Sequence, residues 1–123
     1  MCLNFLSFAL AHMCIGFGAE IGKEPLRLTD YRDADGNHHP YISEMPFMIL
    51  KANSNKIRAL KQAAFAAQIQ CVDFLDTMTI GTYQEQIERT KGTSDANLIY
   101  YGIVLFGAWE KVSELTRKFS LWK

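Results

Sequence analysis

With 123 residues, 49% of them apolar and 12% aromatic, the chain suits one domain around one packed core, which argues against intrinsic disorder. Thirteen Lys and Arg cancel thirteen Asp and Glu, so no overall field gathers phosphate polymers or anionic lipid, and nucleic acid is not an expected partner. Three cysteines, Cys2, Cys14 and Cys71, with no CxxC pair and no zinc-finger spacing, point to reduced, inert thiols and a cytoplasmic location.

Residues 1–19 carry no charged side chain. No Lys or Arg precedes the apolar run, Phe17 spoils a cleavage site ending at Ala19, and Asn4, Ser7, His12 and two glycines interrupt a membrane span. A buried helix fits better: Leu3, Leu6, Leu10, Met13 and Phe17 recur at helical spacing, with Gly16 and Gly18 expected to end it. Lys23 to Pro46 holds all three prolines and the run Asp33 to Asn37, which predicts an extended excursion with a tight turn at Asp35-Gly36. Phe47 to Leu50 predicts a short buried strand.

Asn53 and Ser54 supply a cap for a helix with Ile57, Leu60, Ala64 and Ala67 inward and Lys56 and Lys61 toward water. Gln70 to Leu75 reads as a strand, and Thr82 with Glu85 as a capping box that opens a helix to about Thr90. Leu98 to Phe106 is a nearly unbroken run of strand formers and predicts a central strand. After Gly107, Val112, Leu115 and Phe119 mark the inner face of a last helix. This rhythm predicts a layered α/β domain with a largely parallel or mixed sheet. Such a domain normally opens on a strand, and here the helical pattern starts at once, which suggests an absent first strand and a sheet edge left open or filled by a partner chain.

At Asp33-Ala34-Asp35-Gly36-Asn37-His38-His39-Pro40, Met45-Pro46, Cys71-Val72-Asp73-Phe74 and Tyr101 to Gly107, with Leu3-Asn4 and Ala11-His12, the chain resembles the bacterial domain-of-unknown-function family numbered two thousand. The resemblance runs nearly end to end. That family is similar in fold to the type-two peptidyl-tRNA hydrolases, which implies a three-layer domain, a mixed sheet of about four strands with flanking helices, a strand before Met1, and a homodimer. The resemblance puts Asp73 and Thr77 where those hydrolases carry an aspartate and a threonine. Their lysine falls near Asn4 and their last threonine at about Gly102, so the cation and one hydroxyl are missing. A lost cation that behaves like a lost oxyanion donor costs about 2.7 to 4 kcal/mol of transition-state stabilisation, which argues against peptidyl-tRNA hydrolysis.

Asp73 follows a short strand, where α/β domains tend to hold ligands, so a general base and a turn cap are both open readings. Asn4 and His12 are the candidate replacements for the missing lysine, His12 also being readable as a packed helical histidine. His38 and His39 near Asp33 and Asp35 invite a metal, but their spacing fits a turn with exposed histidines better. Lys56, Arg58 and Lys61, with Tyr100 and Tyr101, suggest an anion or base-stacking patch, against which a solvated helix face is the simpler reading. No GxGxxG, Walker loop, GxSxG or HExxH occurs, and no cofactor or metal is expected. Two functions remain: a module that binds a small-molecule or protein ligand on a hydrolase-like fold whose catalytic set is incomplete, or a divergent ester hydrolase using Asp73 and Thr77 with Asn4 or His12.

Overall fold

The computed structural model describes the backbone of residues 2–122 and the side chains of residues 7–122. Helix α1 (Cys2–Ile21) buries Ala9, Met13 and Phe17, each four residues on from the last. Gly16 and Gly18 do not end it as the sequence suggested. The helix runs on through both, with Phe17 between them buried, and the chain leaves at Gly22, whose φ of 89° suits a residue without Cβ. No helix among the described residues is long and apolar enough to cross a membrane.

Strands β1 (Leu28–Arg32) and β2 (His38–Ser43) form an antiparallel hairpin, exposed along all of β2. Its turn falls at Asp35-Gly36, where Asp33 accepts from the backbone N–H groups of Asp35 and Asn37, each at 2.9 Å. The two-residue strand β3 (Leu50–Lys51) pairs antiparallel with β6 (Ser120–Leu121). The buried strand expected at Phe47 to Leu50 is therefore mostly not one: Phe47, Met48 and Ile49 are exposed, because this segment borders an open groove.

Helix α2 (Ser54–Ala66) starts where Asn53 Oδ1 accepts from the backbone N–H of Lys56, and it buries Ile57, Leu60 and Ala64. It stops in a Schellman turn, with Gln68 at φ 55° and the Ile69 N–H donating to the Ala64 carbonyl. Strand β4 (Gln70–Leu75), helix α3 (Tyr83–Lys91), strand β5 (Tyr100–Phe106) and helix α4 (Trp109–Thr116) follow. Thr82 and Glu85 close the expected capping box on α3. Helix α4 ends before Phe119, which lies on the turn that follows it.

The sheet differs from expectation. The described residues form three two-stranded antiparallel sheets in place of one largely parallel or mixed sheet, and among them β5 pairs with β4 alone, so it is not central among the described strands. The reason lies in α3. A parallel return needs a helix laid across the sheet face, whereas α3 packs against the 3-10 turn at Asp76–Met78 beyond the strand end, so the chain turns straight back. The molecule is a mixed α/β protein, with four α-helices and small antiparallel sheets among the described residues.

The β4–β5 ladder divides the core by the alternation of its side chains. Val72, Phe74 and Val104 meet Ala9, Leu10 and Met13 of α1, and Gly102 sits opposite Phe74, where an added Cβ would stand 2.8 Å from Met13 Cε. On the other face Leu75, Tyr100 and Ile103 meet Ile57 of α2.

Candidate functional site

Asp73 pairs in register with Ile103 and so points to the α2 face. There the Lys61 ammonium donates to Asp73 Oδ2 at 2.6 Å, with the two side chains 41% and 15% exposed. Burial alone would lower the Lys61 pKa, but the hydrogen bond and negative charge of Asp73 outweigh it and hold the ammonium above the usual lysine value. Cys71 shares this face. Burial first, then the charge of Asp73, pushes its thiol up against the opposing effect of Lys61, so it stays protonated and a poor nucleophile near neutrality. Burial likewise raises Cys14.

Sequence reasoning placed Lys61 toward water and missed this pair. The signal was present in the spacing: Lys61 follows Leu60 and lies one turn after Ile57, at the border of the buried stripe. Arg58 is likewise not part of a solvated face. Its guanidinium donates to the Leu98 carbonyl at 2.6 Å and to Asn55 at 2.8 Å, and stacks 5.3 Å from the Tyr100 ring. Tyr100 is buried and donates its hydroxyl to Asp95, so it offers no surface for a nucleobase.

Thr77 is 4% exposed. Its hydroxyl shares a 2.7 Å hydrogen bond with that of Thr90, and its carbonyl accepts from Arg89, so its contacts tie the turn after β4 to α3. His12 lies on α1, its ring 4.4 Å from that of Phe8 and stacked 6.1 Å from that of Phe74. Because Phe74 and Asp73 are neighbours on one strand, they point to opposite faces. His12 and the Asp73–Lys61 pair therefore stand on opposite sides of the ladder and do not converge. Asn4 lies in the backbone of α1, but its side chain is outside the described residues.

The hairpin histidines diverge. His38 Nδ1 lies 2.7 Å from Asp30, and His39 Nε2 lies 3.1 Å from Asp33. Asp33 is held down to about 2, chiefly by the Asn37 side-chain hydrogen bond, then by His39 and the Asn37 backbone. Among the described residues no three His, Cys, Asp or Glu side chains are grouped to hold a metal.

An open concavity lies elsewhere. A groove of about 530 Å³ runs between β5 and the extended segment from Met45 to Leu50, bordered by α1, α2 and α4. Among the described residues none that lines it is charged. Phe47, Met48, Tyr101, Trp109 and Trp122 line it with large side chains that remain exposed. Its size is that of an ordinary small-ligand pocket, and apolar walls of this extent are normally covered by something.

These features define a small mixed α/β protein with an uncharged groove beside one strand. The chain belongs to the family DUF2000, described as a protein of unknown function, whose family model matches residues 6–123. No curated protein is significantly similar in sequence. Among solved structures it is similar to the protein of unknown function Atu0240 from Agrobacterium tumefaciens, with a TM-score of 0.72 at 19% identity over 98% of this chain and 86% of that one. That likeness shows the fold alone.

Proposed function

We propose that the protein is a binding module that takes an uncharged, apolar ligand or protein segment in the groove beside β5. One observation carries this reading: the described residues that line the groove include none that is charged, while its large apolar side chains stand exposed. An apolar occupant gains roughly 25 cal/mol for each Å² of apolar surface withdrawn from water, and charged substrates such as tRNA would meet no partner there. The finer fold reading, a type-two peptidyl-tRNA-hydrolase-like domain, belongs to the same proposal and is supported by the sequence resemblance. A cytoplasmic location and a homodimer belong to it too, supported by the free thiols of Cys14 and Cys71 and by the resemblance respectively.

The hydrolase alternative gains nothing from the geometry. Asp73 is engaged by Lys61, Thr77 is buried against Thr90, and His12 lies across the ladder. A titration with the neutral dye Nile red tests the proposal. Saturable fluorescence enhancement is expected, lost at least in large part in Ile49→Asp, together with no turnover of model esters or peptidyl-tRNA. Ester turnover abolished by Asp73→Ala, with no dye binding, would overturn it.

A further inference from the structure

We infer that the β1–β2 hairpin is a pH-sensitive clasp, its strands drawn together as His38 and His39 gain a proton in mild acid and loosened as they lose it. The hairpin carries one imidazole–carboxylate pair on each face. His38 sits opposite Arg32, and Asp30 lies two residues before Arg32, so the three side chains share a face, where His38 Nδ1 lies 2.7 Å from Asp30 Oδ2. His39 sits opposite Tyr31 on the other face, and its Nε2 lies 3.1 Å from Asp33 Oδ2. Each pair ties β2 to β1 or to the turn that joins them.

A neutral ring can make either bond from the nitrogen that faces the carboxylate, and a proton on the other nitrogen then adds charge to a contact already formed. A hydrogen bond between ionised partners is about twice as strong as a neutral one. Carboxylates are ionised throughout the range of about pH 5 to 8 in which imidazoles titrate, and Asp33 is held down to about 2. Both rings are exposed, so protons reach them freely. The gain is therefore present in full on the acid side of this range and lost as pH rises through it. Few other charges face the rings. Arg32 stands opposite His38 and repels the charged form, whereas His39 faces the neutral Tyr31, so His39 carries more of the response. Asp35 lies in the turn, Lys23 stands 4.5 Å over the Tyr41 ring, and Arg27 and Glu44 pair with each other at the hairpin's base.

A two-stranded hairpin on its own is marginally stable in water. Among the described residues β1 and β2 pair only with each other, and β2 is exposed along its length, so a small electrostatic gain moves the balance between closed and open strands. At the base Ser43 Oγ accepts from the Met45 N–H, so the clasp also sets where the chain enters the segment from Met45 to Leu50.

Amide hydrogen exchange followed by NMR on the full chain, corrected for the intrinsic pH dependence of exchange, tests the clasp. Protection in β1 and β2 should rise about fivefold from about pH 7.5 to about pH 5.5, while β4 and β5 stay unchanged. The double substitution His38→Gln with His39→Gln keeps neutral hydrogen bonding and should abolish the rise. His39→Gln alone should remove more of it than His38→Gln, and Arg32→Gln should enlarge it. Equal protection of the native hairpin at both pH values, or a rise that survives the double substitution, overturns the inference. A parallel rise in β4 and β5 also overturns it, since the response would then belong to the whole fold, His12 included. Should the double variant lose the hairpin at both pH values, Arg32→Gln decides: an enlarged rise supports the clasp, and an unchanged one overturns it.

Discussion

Lys61 on α2 and Asp73 on β4, twelve residues apart in sequence, meet at 2.6 Å on the face of the ladder opposite to His12. Lys61 is too exposed for its pKa shift to convert directly into stability, and a pair of this kind contributes roughly 0.5 to 1 kcal/mol. A double-mutant cycle with Lys61→Met and Asp73→Asn should give that coupling, measured by urea unfolding. The cycle of His12→Ala with Asp73→Asn should give none.

The alkaline limb of stability follows from the same face. Cys71 and Lys61 both have folded pKa values raised above their unfolded values of 9.0 and 10.5. Their contributions are present in full below those values and are lost as pH rises through the folded ones. Stability should therefore fall from about pH 9 upward. Cys71→Ala should delay the onset, and Lys61→Met should flatten the steeper loss above about pH 10.5, both readable as urea midpoints.

The hairpin responds to acid. Asp33 is depressed from 3.8 to about 2, so its turn contacts are present above 3.8 and lost as pH falls toward 2. A carboxyl NMR titration should place Asp33 at about 2, below its ordinary value of 3.8, and Asn37→Ala should move it back up. An unshifted Asp33 would remove the basis for this turn.

Gln68 holds a left-handed φ of 55° at the end of α2, a site that glycine occupies at less cost. Gln68→Gly should raise stability by about 1 kcal/mol despite deleting a side chain. Thermal unfolding monitored by circular dichroism would show the gain, and a loss would mean the side chain outweighs the backbone relief.

The groove wall and the core should separate in a mutational series. Met48→Ser or Ile49→Ser, at exposed positions, should change stability by only about 0.5 kcal/mol. Phe74→Ala, whose side chain is 6% exposed between α1 and β4, should cost about 3 to 5 kcal/mol.

Local chemistry was legible in the sequence. The Asn53 cap, the Thr82–Glu85 box, the Asp35-Gly36 turn, β4 and the α2 stripe as far as Ala64 all stand where spacing and cap residues put them, while Ala67 falls on the cap beyond the helix. Long-range relations were not. Propensity marks Leu98 to Phe106 as a strand, which the structure starts at Tyr100, but says nothing about its neighbours, and whether α3 crosses the sheet depends on packing that no local window contains. The Schellman turn at Gln68 was hidden because its usual glycine is missing.

The candidate site shows the same division. Asp73 stood out by residue type, but its partner Lys61 did not, since an amphipathic lysine at a stripe border reads as solvated. The apolar run Phe47 to Leu50 was visible as apolar but was assigned to the interior. Only the arrangement in space shows that it borders an open slot.

Amide chemical-shift mapping by NMR during titration with Nile red decides whether the groove beside β5 binds an apolar molecule. Apolar binding in the groove should concentrate the shifts in residues 45–52 and 101–107, leaving the hairpin, Asp73 of β4 and the turn at Asp76–Met78 unmoved. Shifts confined to Asp73–Thr77 and His12, with the groove silent, would contradict it.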